Sequence, residues 1–171
     1  MARVRIKGLK RVRDNTIKNI EKALDSRSVQ KDVADFAIKD IVGNARLGKD
    51  PNNRNFKSLA RSTKEQREYL SRYNSTDSFF SVNKSNLTVS GQLLNSIKAF
   101  FKKREITIEP TGTRRKYRGA KGQAIGQSLT NKEVADFVQE DRPFLLVSKA
   151  LEEFIKNRVR RELRRILRKS L

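Results

Sequence analysis

The C-terminal end of the chain carries the pattern that most limits its fold. Val147, Ala150, Leu151, Phe154, Ile155, Val159, Leu163, Ile166 and Leu167 recur at helical spacing. The positions between them are strongly basic. Arg158, Arg160, Arg161, Arg164, Arg165, Arg168 and Lys169 stand against a single acid, Glu162. Such a helix has one apolar stripe to bury and needs a packed surface to receive it. The spacing does not sustain the heptads of a long coiled coil. We therefore expect the stretch from Val147 to Val159 to enter a core and the final turns to project.

The receiving elements are also legible. Val29, Val33, Phe36, Ala37, Ile41 and Ala45 form a second stripe, with Gly48 and Pro51 to stop it. Over 10–24, Ile17, Ile20, Ala23 and Leu24 predict a further amphipathic helix, separated from the second by Asp25-Ser26-Arg27-Ser28. Ser26 or Ser28 can cap there. Arg3, Val4, Ile6 and Leu9 predict a short first strand that Gly8 ends. Ile97, Ala99 and Phe101 alternate on one side of 96–102, as do Ile106 and Ile108 of 105–109. With Lys102-Lys103-Arg104 between them, these two runs predict a β-hairpin. Thr130-Asn131-Lys132-Glu133 has the order of a capping box ahead of Val134, Phe137 and Val138.

Two stretches read differently. Residues 48–86 are polar, with scattered apolar anchors and one short helix predicted over 62–73, capped by Ser62 or Thr63. A connection this long is uncommon unless it is functional or meets a partner. Residues 111–128 hold Gly112, Gly119, Gly122 and Gly126 together with Arg114, Arg115, Lys116, Arg118 and Lys121, and no acid. The order does not match a phosphate-binding P-loop. A flexible basic finger touching phosphates or an acidic groove, or else a solvated loop, fits it.

Composition narrows the chemistry. Lysine and arginine number 40 against 19 acids, a net charge of +21. That charge predicts attraction to nucleic acid or to an acidic protein. Cysteine and histidine are both absent. This excludes disulfide frameworks, ordinary zinc sites and histidine-based nucleophilic catalysis. The carboxylates, including Glu105 with Glu109 and Asp32, Asp35 and Asp40, show no spacing that supports a metal-dependent nuclease. We expect no enzymatic activity, no cofactor and no metal. No apolar run approaches the length of a membrane span, and the basic stretch from Met1 to Arg13 lacks the apolar segment of a secretory signal, so a cytoplasmic site of action is expected.

Several short motifs follow one another in order. They are Gly48-Lys49-Asp50-Pro51, Phe56-Lys57-Ser58-Leu59, Ser62-Thr63 with Arg67, Leu87-Thr88-Val89-Ser90-Gly91-Gln92-Leu93-Leu94-Asn95-Ser96-Ile97, Val134-Ala135-Asp136-Phe137, and Arg142-Pro143-Phe144-Leu145. This order resembles the neck, or tail-completion, proteins of tailed bacteriophages, also called virion morphogenesis proteins. Ser90-Gly91 stands where that family often has Thr-Gly. The glycine that the family often has ahead of Arg-Pro-Phe is missing, and the basic loop is unlike a generic member.

The resemblance implies an α+β fold: a small antiparallel sheet with a long β-hairpin, packed by N-terminal helices and a long C-terminal helix. It implies one domain over 1–171, with 48–86 as connection. It implies a structural virion protein that forms a ring in the neck around the DNA channel, about six-fold or else about twelve-fold. Its partners would be itself, portal-side connector and tail proteins, and packaged DNA, with assembly in the host cytoplasm. Ser90, Gly91, Leu93, Ser96, Ile97, Arg142, Pro143, Phe144 and Leu145 would be structural motif residues. Ser90 would keep the hydroxyl for a helix cap or turn, Gly91 would allow a tight turn, and Arg142 would be free to reach a carboxylate in the same subunit or the next. Arg114, Arg115, Lys116, Arg118 and Lys121, with Arg160, Arg161, Arg164, Arg165 and Arg168, are the candidate contacts to DNA or an acidic partner. The alternative reading is a non-enzymatic basic nucleic-acid-binding protein, ribosome-associated or DNA-coating.

Overall fold

The computed structural model describes residues 9–103 and 105–169, with side chains from Asp14 onward. The strand predicted at the N-terminus thus lies outside the described residues, except that Leu9 opens the first helix. Six helices and two two-stranded antiparallel sheets make an α+β fold among the described residues. Helices α1 (Leu9–Leu24) and α2 (Arg27–Leu47) match the two predicted stripes. On α2, Val29, Val33, Ala37, Ile41 and Ala45 are four residues apart and all buried, so they form one continuous ridge. Ser26 occupies the cap position without a side-chain cap bond.

Gly48 ends α2 because it adopts the left-handed conformation, φ 78°. Its N–H reaches the Ala45 carbonyl, and the Lys49 N–H reaches that of Asn44. This is a Schellman closure, and it satisfies carbonyls that the helix end would otherwise orphan. Asp50 then accepts from the Asn52 and Arg54 N–H groups at 2.9 and 2.8 Å, folding the chain back so that Phe56 enters the core. Helix α3 (Arg61–Tyr73) follows. Its cap position is Ala60, not Ser62 or Thr63, and no side chain caps it. Both hydroxyl residues fall inside the first turn, because the Ala60 carbonyl already takes the first helical bond from Lys64.

A one-turn helix α4 (Gln92–Asn95) leads directly into β1 (Ile97–Lys102), which pairs with β2 (Glu105–Pro110). Lys102 pairs with Glu105, leaving a two-residue turn, and Lys103 takes φ 45° as such turns require. The Gly-rich stretch holds a second, smaller hairpin, β3 (Tyr117–Arg118) with β4 (Ala124–Ile125). Helix α5 (Asn131–Asp141) starts with the predicted capping box of Thr130 and Glu133.

Helix α6 spans Lys149–Lys169. Ser148 sets its start: its Oγ accepts the Leu151 N–H at 2.9 Å and its carbonyl accepts that of Glu152. Val147 is left outside the helix and 61 % exposed, which corrects the expectation that it belongs to the core. The final turns do not project freely either. They pack on α1, and Glu162 is buried there, held by Arg158 and Arg165.

The core has two parts joined by α2. One gathers Val29, Val33, Ala37 and Leu151, with Phe36 stacked on Phe154 at 4.2 Å. The other gathers Ile41, Ala45 and Phe56 with Leu93, Leu94, Ile97, Ala135 and Phe144. Leu93 and Ile97 of the 87–97 motif and Phe144 of Arg142-Pro143-Phe144-Leu145 therefore share one cluster. Leu145 packs against it, half-buried.

Candidate functional site

The segment from Asn86 to Leu93 passes between α3 and α5, and the basic stretch folds across it. A cleft of about 460 Å³ opens where these four pieces meet. That is a normal size for a site receiving a small ligand or a few side chains. Its floor is apolar, with Leu59, Leu70, Leu93 and Leu129. Its rim carries Arg114, Arg115, Lys116 and Arg142, Arg67 is buried in its wall, and no aspartate or glutamate lines it. Two motifs and the basic stretch, far apart in sequence, thus converge on one concavity.

Arg67 is the least expected of these cations. It sits in the apolar phase of α3, four residues after Thr63 and three before Leu70, and is only 6 % exposed. Nη1 donates to the carbonyls of Asn86 (2.9 Å) and Lys84 (3.2 Å), and Nη2 to Asn86 Oδ1 (2.7 Å). Every one of these acceptors is neutral, and Nε has no protein partner. Burial lowers the guanidinium pKa, Tyr117 opposes that shift, and the nearby charge of Arg142 adds to it. An arginine nevertheless stays protonated. The cleft therefore encloses a positive charge that no carboxylate among the described residues balances.

Asn86 makes this possible. It is 3 % exposed, accepts from Arg67, and donates through Nδ2 to the carbonyls of Phe79 (2.7 Å) and Arg46 (3.2 Å). Next along the chain, Gly91 takes φ 68° at the cap position of α4. That answers the expectation of a tight turn. Asp77, ion-paired to Arg46 at 3.0 Å, lies against it. Of the helix cap or turn expected at Ser90, the helix cap is absent, because Gly91 holds that position. Ser90 Oγ instead accepts from Gln92 Nε2 at 3.0 Å and lies 3.4 Å from the Tyr117 hydroxyl. Ser96 Oγ donates to the Leu93 carbonyl at 2.7 Å and so closes the end of α4. Arg142 bonds Ser85 Oγ at 3.0 Å and meets no carboxylate among the described residues, so of the two partners expected for it the one in the same subunit is not found. Pro143, beside it, is half-buried.

The basic finger is not loose. Gln92 binds the Arg115 peptide, Asn74 binds both backbone groups of Arg118, and the Tyr69 hydroxyl accepts the Ala120 N–H. Arg114 lies over the Tyr117 ring and donates to its hydroxyl. Arg115, Lys116, Arg118 and Lys121 stay exposed and make no ion pair among the described residues. Arg67 and Gln92 stand in the motif order with no contact predicted for either, and Asn86 and Asn74 carry no signal of their own. For Arg67 a signal existed, a charged residue at an apolar phase. The amides act through residues distant in sequence, which no local pattern reports.

The second basic region lies apart from the cleft, on α6 against α1 and α2. Arg160, Arg161, Arg164 and Arg168 are exposed and make no ion pair among the described residues. Arg165 is not free, because it bonds Glu162. Arg158 bridges Asp32 at 2.6 Å and Glu162 at 3.5 Å. Among the described residues no group of acidic, histidine or cysteine side chains is arranged to hold a metal ion, and no helix is long and apolar enough to cross a membrane.

The cleft thus pairs an apolar floor with a cationic rim. No family model, curated protein or solved structure matches the chain.

Proposed function

We propose that this chain is a structural protein of the tailed-bacteriophage neck, acting as one subunit of a ring around the DNA channel. One observation carries the reading. The two most informative motifs, 87–97 and Arg142-Pro143-Phe144-Leu145, build one core cluster and flank one partner-sized cleft. Residues that serve only as spacers would not gather in this way. In this reading the motif residues hold the fold, and the cleft and basic surfaces meet neighbouring subunits, connector and tail proteins. Catalysis and cofactors have no part in it. The protein works in the virion after assembly in the host cytoplasm.

Quantitative mass spectrometry of gradient-purified virions tests it. A count of about six or about twelve copies per particle fits a closed ring. Absence of the chain from virions overturns it.

A second reading, a nucleic-acid-binding protein without enzymatic activity, draws on the exposed face of Arg160, Arg161, Arg164 and Arg168. It requires binding to duplex DNA that weakens steeply with salt and flattens when these four arginines become glutamine. Weak binding that is indifferent to those changes rules it out.

A further inference from the structure

The cleft has an identifiable occupant within the protein's own surface. Helix α5 turns Val134, Ala135 and Val138 inward and Phe137 outward. Phe137 is 68 % exposed, the most exposed of the large apolar side chains described. Around it on the same helix stand Glu133, Asp136, Glu140 and Asp141, against one cation, Lys132. In a chain of net charge +21 this is a local reversal of sign. Asp136 and Glu140 are exposed and make no ion pair among the described residues.

We propose that the cleft of one copy receives the outward face of α5 from a second copy. Phe137 covers the apolar floor, and Asp136 and Glu140 meet Arg115 and Lys116 at the rim. The idea rests on the self-assembly part of the preceding reading, and it supplies the contact that reading lacks. Charge complementarity and the exposed aromatic both favour this occupant. A phosphodiester backbone would satisfy the rim but leave the half-buried Val89, Ile125 and Leu129 uncovered. An acidic helix with one aromatic knob satisfies both. At physiological salt the Debye length is about 8 Å, so repulsion between the distant charges of two basic molecules is largely screened and contact pairs weigh most.

The test uses the full chain in four forms: wild type, F137A, the knob variant D136K/E140K and the rim variant R115E/K116E. All changes are at exposed positions, and melting curves check that each form folds. Sedimentation velocity at physiological salt reads association. Wild type is expected to associate with rising concentration. F137A weakens this by about tenfold or more, as loss of a central aromatic anchor does. The knob and rim variants each fail alone, because like charges then meet. Mixed together they associate again, because a lysine knob faces a glutamate rim.

The proposal is overturned if wild type stays monomeric at every concentration, if the variants associate like wild type, or if the mixture fails to recover. It is also overturned if R115E/K116E loses DNA binding while self-association is unchanged. Virion copy number is independent of these outcomes, so failure of this contact and failure of the neck assignment are distinguishable.

Discussion

The side-chain amide of Gln92 grips the peptide of Arg115 from both ends. Its Oε1 accepts the Arg115 N–H at 2.7 Å, and its Nε2 donates to the Arg115 carbonyl at 3.3 Å. A segment that pairs with no strand at that point is thereby given the equivalent of a two-bond ladder step. The third contact, from Nε2 to Ser90 Oγ, ties the grip to the turn before α4. Basic side chains on either side of Arg115 are then held over the cleft by a device that carries no charge.

Gln92→Ala should therefore loosen the basic stretch without unfolding the core. Loss of these bonds is expected to cost about 1–2 kcal/mol. Amide hydrogen exchange over 114–118 should quicken while that of α2 stays protected. Equal acceleration across the chain would show that Gln92 acts on the fold as a whole.

Phenylalanine supplies a sharp contrast. Phe144 is 0 % exposed in the cluster that joins α2, α4 and α5, whereas Phe137 is 68 % exposed. Phe144→Ala should cost about 3–5 kcal/mol, the range for emptying a filled aromatic site. Phe137→Ala should shift the stability of the isolated chain by less than about 0.5 kcal/mol. Chemical denaturation of both variants checks the pair.

Two glycines offer opposite outcomes for one substitution. Gly43 lies inside α2 with nothing within 4 Å of a would-be methyl group. Gly43→Ala should stabilise by about 0.5–1 kcal/mol through helix propensity. Gly91 has φ 68°, and a methyl group there would sit 2.7 Å from Asp77 Oδ2 and 3.0 Å from Asn95 Nδ2. Gly91→Ala should destabilise by at least about 1–2 kcal/mol from the left-handed backbone alone. Displacement of Asp77 from Arg46 adds to that. Thermal melting of the two variants should move in opposite directions.

Acid should weaken the α6 end of the molecule. Hydrogen bonding by Arg165, opposed by burial and supported by Arg158, holds the Glu162 carboxyl below its ordinary value of 4.5. A lowered folded-state pKa means that its stabilisation is fully present above about pH 4.5 and is lost as pH falls through the folded value. Glu162→Gln should cost about 1 kcal/mol at neutral pH, since Arg165 is largely exposed and such pairs contribute little more. The variant should also show a shallower loss of stability below pH 4.5 than wild type. Denaturation midpoints measured across that range provide the check.

Periodic features are legible in the sequence. The fourfold ridge of α2, the alternation of β1 and β2, and the Thr130 capping box each arise from neighbours within a few residues. What the sequence concealed depends on distant partners. Phe137 falls on the same helix as Val134 and Val138, yet only the docking of Ala135 and Val138 into the core decides which side faces out. Val147 continues the apolar spacing of α6, but Ser148 claims the helix start and strands it. Arg67 is buried because Asn86, from a different segment, arrives with carbonyl and amide oxygens to receive it. The basic finger reads as flexible because its clamps, Gln92 and Asn74, lie 23 and 44 residues away from the peptides they hold.

The pairing of α2 with α6 has a bearing on how the chain comes to be folded. Arg158 meets Asp32 across 126 positions, and Phe154 stacks on Phe36. Helix α2 thus waits for α6, synthesised more than a hundred residues later, before Val29, Val33 and Ala37 are covered. Contacts of such long sequence separation form slowly, and the apolar ridge stays open to solvent meanwhile. A ribosome-bound chain halted before Lys149 would display that ridge, and would be the species on which a chaperone or an aggregation partner acts.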